Sequence, residues 1–354
     1  MALYVFNPEH DIALASNLSN FTAPHAGRQL RNDLGFLPAL WAREGDQILV
    51  DHEESAMKAY RRVCHRLTKL GMADFSHTGN IKFPQREQNI PTQGISSVHP
   101  WGWDKAIRRE LERIGFSTSI LPTVEQIEQI RQLSHRRTSA QLLPLLQMDG
   151  TVGEAFECTT VEQVEALLQR FGRLVVKAPW SSSGRGVRFL RTKEELGNFQ
   201  NWILNILKTQ GSIMAEPYYN NVKDFGMEFE ADAEGRIRYL GLSLFHTVNG
   251  AYVGNILATE SVKIEMISRY VSVSLLGSVK QKVIESLRFD GYVGPFGIDM
   301  MVTKEGLHPC VEINLRRTMG HVALAISPTD DDIKGVMRVM YDGNHYKLKI
   351  NKLR

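Results

Sequence analysis

The chain has 354 residues, which is too long for one ordinary hydrophobic core and suits two or three packed units. Hydrophobic residues make up 43% and charged residues 23%, as in ordinary globular proteins, and a net charge of +3 provides no global field that favours nucleic acid or an anionic membrane. No apolar run is long enough to cross a bilayer, no secretory signal opens the sequence, and three widely spaced cysteines lack metal-ligand spacing, so we expect a cytoplasmic protein with reduced thiols.

The first third of the chain alternates between strand-like and helical segments. Apolar runs at residues 3–6 and 48–51 indicate strands, and the spacing of residues 53–70 and 103–114 indicates helices. These patterns predict an N-terminal α/β domain over residues 1–121. The polar segment at residues 7–11 follows the first strand, where it forms either an ordinary polar turn or part of a ligand site.

Residues 122–215 show the clearest alternation of helices and strands. Helix starts are marked by a threonine followed three residues later by glutamine or glutamate, at Thr123, Thr160 and Thr192. Strand-like runs occupy residues 153–158, 174–178, 187–190 and 212–216. The pattern predicts a small α+β domain in which two helices cover an antiparallel sheet.

Residues 216–354 are predicted to form a larger unit with one functional sheet face. Residues 226–231 and 237–245 indicate one hairpin, and residues 296–302 and 310–315 indicate a second pair of strands. Residues 262–288 have the spacing of a helix. We interpret the basic end of the chain, which carries Lys347, Lys349, Lys352 and Arg354, as a solvated tail.

A loop rich in serine and glycine follows a buried strand of the small domain. Strand alternation places Lys177 at the exit of this strand, and Ser181, Ser182, Ser183, Gly184 and Gly186 follow. The glycines let backbone N–H groups approach anionic oxygens, the serines add hydroxyl donors, and the lysine adds positive charge. The segment therefore predicts a phosphate-binding loop, with an ordinary hairpin loop and a solvated lysine as the alternative. It is neither a P-loop nor a dinucleotide fingerprint, because the glycines lead into a strand.

Two later strands carry polar side chains on one face only. Asp299 lies on a face opposite Ile298 and Met300, and Glu312 and Asn314 share a face in the next strand. A two-residue turn at residues 305–306 would bring Asp299 opposite Glu312, where two carboxylates repel unless a cation lies between them. Two carboxylates and an amide suit Mg²⁺, with Mn²⁺ as an alternative. The competing interpretations are a solvated polar face, or a one-residue bulge that turns Asp299 away.

Arg316 continues the face of Glu312 and Asn314, and Arg317 follows it. An arginine beside a metal–phosphate site can stabilise charge on a transferring phosphoryl group. The rival interpretation is an exposed structural arginine. The phosphate loop and the metal face together point to an enzyme that consumes a nucleoside triphosphate.

The order of these segments over residues 122–330 resembles the ATP-grasp superfamily, which includes carboxylate–amine ligases. The resemblance implies an N-terminal α/β domain followed by a two-layer fold with antiparallel sheets, divided into residues 122–215 and 216–354. It also implies roles for individual residues: Lys177 and the loop Ser181–Gly186 on the ATP phosphates, Glu216 near the adenine, Asp224 or Glu228 on the ribose, Asp299, Glu312 and Asn314 as Mg²⁺ ligands, and Arg316 near the γ-phosphate. Arg136 takes the place of a lysine that the family often carries.

The function implied by the resemblance is MgATP-dependent activation of a carboxylate as an acyl phosphate, followed by attack of an amine or another nucleophile. The alternatives are a kinase that stops at phosphoryl transfer and a nucleotide-binding regulator without turnover. The expected partners are small-molecule carboxylates and amines, with no nucleic acid and no membrane, and a homo-oligomer is left open. No motif identifies the carboxylate or the nucleophile.

Overall fold

A computed structural model describes residues 1–72, 81–86, 90, 92–181, 186–248 and 251–353. It begins with a parallel three-stranded sheet of order β2-β1-β3, as the predicted α/β domain requires. The elements are β1 (Ala2–Val5), α1 (His10–Ser16), α2 (His25–Leu34), β2 (Gln47–Leu49), α3 (Glu53–Lys69), β3 (Ser97–Pro100) and α4 (Lys105–Ile114). Asp104 caps α4 by accepting from the backbone N–H groups of Ala106 and Ile107, and Gly115 ends it in the left-handed conformation.

The second unit is a small antiparallel sheet of order β4-β7-β5-β6 covered by two helices. Its elements follow α5 (Val124–Leu133) and α6 (Arg137–Leu146), and they are β4 (Phe156–Cys158), α7 (Val161–Phe171), β5 (Leu174–Lys177), β6 (Val187–Leu190), α8 (Lys193–Gln210) and β7 (Ile213–Pro217). Thr123, Thr160 and Thr192 cap the helices that the sequence predicts at these positions. The predicted strand at residues 153–158 is shorter, because only Phe156–Cys158 pairs with β7.

The remaining chain forms two four-stranded antiparallel sheets, of order β13-β12-β8-β9 and β10-β11-β14-β15. The elements are β8 (Asn221–Ala231), β9 (Ile237–Ser243), β10 (Phe245–Val248), β11 (Ala251–Leu257), α9 (Glu260–Ser268), α10 (Val273–Ser286), β12 (Gly294–Thr303), β13 (Leu307–Asn314), α11 (Met319–Ile326), β14 (Gly335–Tyr341) and β15 (Tyr346–Lys352). The helical character predicted at residues 262–288 is confirmed, but it is divided between two helices, because α9 ends at Ser268 and the side chain of Ser272 caps a separate α10.

The pairing of β12 with β13 places Asp299 directly opposite Glu312, as predicted, but by a different route. Val302 pairs with Leu307, so the loop between the strands is longer than the predicted two-residue turn. The register then shifts between Asp299 and Met301, where residues 309–311 bulge out of the ladder. Because the bulge adds two residues, the alternation of faces is kept and the two carboxylates meet.

One hydrophobic core joins the N-terminal unit to the last strands of the chain. Its buried members include Phe6, Leu34 and Val63 from the first unit and Leu348 and Ile350 from β15. The chain end is therefore a strand and not a free tail, since β15 buries Leu348 and Ile350, although Lys349 and Lys352 are exposed as predicted. No helix in the described part of the chain has the length and apolar character needed to cross a membrane.

Gly254 in β11 gives a test of how closely β11 and β14 approach. A Cβ atom at this position would lie 2.1 Å from the carbonyl oxygen of Met337, so Gly254→Ala is expected to lower the free energy of unfolding by about 1–3 kcal/mol. Gly197→Ala is the matched control, because nothing lies within 4 Å of its Cβ position in α8 and alanine favours the helix by about 1 kcal/mol. Urea unfolding of both variants measures the difference, and equal stabilities would contradict the close approach.

Candidate active site

The site is built on the paired strands β12 and β13. Asp299 and Glu312 lie directly opposite each other, and the side-chain amide of Asn314 donates to Asp299 Oδ2 at 3.2 Å. The other face of these strands, with Ile298, Met300 and Ile313, is buried in the main core. The apolar face fixes the orientation of the strands and leaves the two carboxylates and the amide on the open face.

The carboxylates around Asp299 make its ionised form unfavourable. Burial and the neighbouring carboxylates of Glu312 and Glu228 raise the pKa of Asp299 to about 7, against the effects of Arg316 and Asn314. A divalent cation between the carboxylates would favour their ionised forms, so the donor set fits Mg²⁺. Within the described residues, no three or more His, Cys, Asp or Glu side chains converge as a metal site. Two carboxylates and one amide therefore need further oxygen ligands, which the phosphates of a nucleotide can supply.

Arg136 connects the metal face to the start of the predicted phosphate loop. It precedes α6 and is 8% exposed, and its Nη1 lies 2.7 Å from Glu312 Oε2. The same guanidinium donates to the carbonyl of Ala178 at 3.0 Å and to Ser181 Oγ at 3.3 Å. Arg136 thus brings positive charge to the boundary between the two sheets.

The loop itself is anchored at both ends. Ala178 donates its backbone N–H to the carbonyl of Gly186 at 2.8 Å. A Cβ atom on Gly186 would lie 2.3 Å from Ser181 Oγ, so this position requires glycine. Ser182, Ser183 and Gly184, which the sequence also predicts as phosphate ligands, lie outside the described residues. The described ends are therefore held close together.

Lys177 forms a buried ion pair with Glu216. Lys177 ends β5 and Glu216 lies in β7, and Lys177 Nζ donates to Glu216 Oε2 at 2.6 Å. The exposed fractions of the two side chains are 8% and 11%, so neither charge is well solvated. An ammonium group keeps two further donors when one is used, so Lys177 can still bind an anionic oxygen.

Arg316 is held by the N-terminal unit through a contact that the sequence did not indicate. Its guanidinium donates to both carboxylate oxygens of Asp11, with Nε–Oδ1 at 2.9 Å and Nη2–Oδ2 at 2.8 Å, and to Asn314 Oδ1 at 2.9 Å. Burial opposes the charge on Arg316, but Asp11 keeps the pKa of Arg316 above its ordinary value. Arg316 is thus not an exposed arginine, and α1 borders the metal face.

Asp224 and Glu228, the two predicted ribose ligands, lie on opposite sides of Asp299. In the pairing of β8 with β12, Asp224 is opposite Met301 and Glu228 is opposite Gly297. Asp224 accepts hydrogen bonds from Thr247 and Asn221 and stays partly exposed. The Glu228 carboxylate is 3% exposed, and a Cβ atom on Gly320 would lie 1.8 Å from its Oε1, so the backbone covers it.

His308 is a polar residue of the site region that sequence reasoning missed. It is 1% exposed, its two ring nitrogens have no hydrogen-bond partner in the described part of the chain, and its ring meets Tyr219 edge to face. Burial lowers the pKa of His308 to about 4, with Glu216 and Lys177 close enough to contribute, so the ring is neutral at neutral pH. Its place opposite Met301 puts it on the Asp224 side of the metal face. Only the periodicity of β13 could have indicated its burial.

The architecture is similar to that of solved proteins. The structure aligns with a solved N5-carboxyaminoimidazole synthetase from Staphylococcus aureus, complexed with ADP, over 96% of this chain and 81% of that chain, with a TM-score of 0.52 and 13% identity. This chain has the ATP-grasp fold. A biotin carboxylase from Campylobacter jejuni in a beta-gamma-ATP complex aligns over 96% of this chain and 75% of that chain, with the same TM-score and identity. No family model and no curated protein matches the sequence.

The ATP-grasp fold accounts for the order of the segments along the chain. The predicted fold class, an N-terminal α/β domain followed by layers with antiparallel sheets, is confirmed. Within this fold the described residues form one continuous line of contacts from Ser181 through Arg136 to Glu312, and from Asp299 through Asn314 to Arg316. The line joins the phosphate loop, the metal face and the N-terminal unit.

Proposed function

We propose that the protein is an ATP-dependent ligase, which activates a carboxylate as an acyl phosphate for attack by an amine. The observation that carries this proposal is the pair Asp299–Glu312 facing each other on an ATP-grasp sheet, beside Arg136. Two facing carboxylates in a partly buried position have no structural benefit of their own. They are accounted for if a nucleotide and its metal ion bind there.

In this proposal Asp299, Glu312 and Asn314 hold Mg²⁺, or Mn²⁺ in its place. The ion would supply charge neutralisation between the carboxylates and the phosphates, and polarisation of the phosphoryl oxygens. Lys177 and Arg136 contribute positive charge to the same phosphates, and Ser181, which accepts a hydrogen bond from Arg136, borders them at the start of the phosphate loop. An acyl phosphate formed at this site must be protected from hydrolysis until the amine attacks.

The base end of the nucleotide is assigned to the side of Lys177, Glu216 and His308. Asp224 lies on this side of Asp299 and is partly exposed, which supports it as the ribose ligand in preference to the covered Glu228. The acceptor end then lies beyond Asn314, where Arg316 can offset charge on the transferring phosphoryl group. We retain residues 1–121, 122–215 and 216–354 as the proposed domains.

The similar solved structures support carboxyl-group chemistry and ATP as the phosphoryl donor. One is named as a carboxyaminoimidazole synthetase and was crystallised with ADP, and the other is named as a carboxylase and was crystallised with an ATP ligand. Neither name identifies the carboxylate or the amine that this chain uses.

The test is an ADP-release screen with Mg²⁺ and pooled carboxylates and amines, in which free phosphate is measured in parallel. We expect ADP and phosphate in equal amounts, only when a carboxylate and an amine are both present, and neither product from Asp299→Asn. ADP without free phosphate would indicate a kinase and contradict the ligase. Tight ATP binding without ADP release in any pool would contradict turnover altogether.

A further inference from the structure

A cavity of about 640 Å³ lies over the carboxyl edge of the N-terminal parallel sheet, away from the metal face. Asn7 and Glu9 follow β1, Asp104 follows β3, and all three line the cavity. The chain leaves β1 for β2 on one side and adds β3 on the other, so the segments that follow β1 and β3 start from neighbouring carboxyl ends of the sheet. Open α/β sheets bind ligands at such a point.

The lining of this cavity carries more positive than negative groups. Its arginines come from α2, from α4 and from the segment before residue 87, and they are Arg28, Arg31, Arg86, Arg109 and Arg113. Its acidic residues are Glu9, Asp104 and Glu110. We call this cavity the arginine pocket. Asp51 lies outside the lining but contacts two of these arginines, so five guanidinium groups and four carboxylates leave one positive charge in excess.

Two of the arginines already have carboxylate partners. Arg31 Nη1 lies 2.6 Å from Glu9 Oε1 and its Nε lies 3.3 Å from Asp51 Oδ2. Arg86 Nε lies 2.8 Å from Asp51 Oδ1, and its Nη1 contacts Glu110. These pairs hold the arginines in place, as a preformed binding site requires.

The other three arginines lack such partners. In the part of the chain that the structure describes, no carboxylate lies within 4 Å of the guanidinium of Arg28, Arg109 or Arg113. Arg28 donates to the carbonyl of Ala23 at 2.5 Å, and Arg109 donates to Ser19 Oγ at 3.1 Å. Their charge is therefore available to a ligand, since Arg28 and Arg109 meet only neutral acceptors.

Asp104, the remaining acidic residue of the lining, does not neutralise these three arginines. Asp104 Oδ1 accepts two backbone N–H groups at the start of α4, and its Oδ2 accepts from Asn7 Nδ2 and lies 3.2 Å from His10 Nδ1. The carboxylate is thus used within the fold, where it ties the end of β1 to the start of α4.

A second observation points to a ligand. The side chain of Arg86 is 10% exposed, and its Nη2 has no hydrogen-bond partner among the described residues. A buried guanidinium N–H without an acceptor costs more free energy than an unpaired neutral donor does. An anionic oxygen in the pocket would provide the missing acceptor. Arginine donors in a fork suit phosphate and carboxylate oxygens.

The pocket is separate from the metal face. Glu9 and Ala13 line it from one side of α1, whereas Asp11, about 200° around the same helix, binds Arg316. Its volume is within the range of small-molecule sites and exceeds what a single inorganic anion fills. We infer that the arginine pocket binds a small organic anion that carries a phosphate group or several carboxylates. This site does not depend on the proposed ligase activity.

Calorimetric titration of the full chain with citrate and with glycerol 3-phosphate, at constant ionic strength, tests the inference. We expect saturable binding of at least one of these anions, weakened about tenfold or more by Arg28→Gln and by Arg113→Gln. Neither substitution strands a carboxylate, so the fold should be retained, and apo melting temperatures check this. Arg61→Gln is the matched control, since Arg61 is an exposed arginine on α3.

Glu312→Gln separates this site from the nucleotide site, because it changes the metal face and leaves the pocket intact. Binding of the anion is expected to be unchanged in this variant even where ADP release is lost. The inference would be overturned if neither anion bound saturably, or if Arg28→Gln and Arg113→Gln bound the anion as tightly as the parent chain does. Loss of anion binding in Glu312→Gln would also overturn it. Failure of the ligase screen alone would not.

Discussion

Asp299→Asn is expected to abolish Mg²⁺-dependent ADP release while leaving the nucleotide-free chain at least as stable as the parent. Asp299 faces Glu312 across the strands, so the substitution removes a carboxylate from the proposed metal ligands. Loss of metal stabilisation should lower turnover at least about a hundredfold, since such an ion contributes several kcal/mol to the transition state. The same change removes repulsion between two carboxylates, so the melting temperature should be equal or higher.

The control for this prediction is Asp290→Asn, the same chemical change at an exposed position between α10 and β12. It should alter neither ADP release nor melting temperature. Parental turnover in Asp299→Asn would remove the metal assignment. A clearly lower melting temperature would show that the hydrogen bond from Asn314 outweighs the repulsion, and would contradict the electrostatic account.

Lys177→Met is expected to lower the free energy of unfolding by about 3–5 kcal/mol and to abolish ADP release. The stability loss follows because Glu216 is left as a buried charge without its partner, the side chain being only 11% exposed. The double variant Lys177→Met/Glu216→Gln should recover much of the stability, since no charge remains buried. It should not recover turnover, because the positive charge for the phosphates is still absent.

Urea unfolding and ADP release of both variants separate the structural from the chemical role of Lys177. Lys58→Met, at an exposed position of α3, is the control for the change of side chain. Turnover regained in the double variant would make Lys177 a structural partner of Glu216 only. A double variant as unstable as the single one would mean that packing, and not the unpaired charge, determines the loss.

Local signals in the sequence predicted most of the elements. The threonine caps before α5, α7 and α8 act within one turn of chain, and strand alternation depends only on which face is buried. The break between α9 and α10 was missed because apolar spacing continues across it, although Ser272 is a recognisable cap. The pairing of Asp299 with Glu312 was predicted correctly although the predicted two-residue turn was wrong. The longer loop shifts the register of β12 and β13 by two residues, and the bulge shifts it back.

The parts of the site that could not be predicted depend on contacts between distant segments. The bond between Asp11 and Arg316 joins residues 305 positions apart, and nothing local to either marks the other. The same holds for Arg136, which contacts Glu312 from the segment before α6. The charge excess of the arginine pocket emerges only when α2 and α4 flank the end of β1. Periodicity describes one element at a time, and these features require the packing of several.

The core shared by the N-terminal unit and β15 affects how the protein is made. Phe6, Leu34 and Val63 remain without their packing partners until Leu348 and Ile350 have left the ribosome. The apolar surface of the N-terminal unit therefore stays uncovered until the segment that contains Leu348 and Ile350 has been made, a period in which chaperones can bind it. Contacts of such long sequence separation also slow refolding, because a large loop must close before they form.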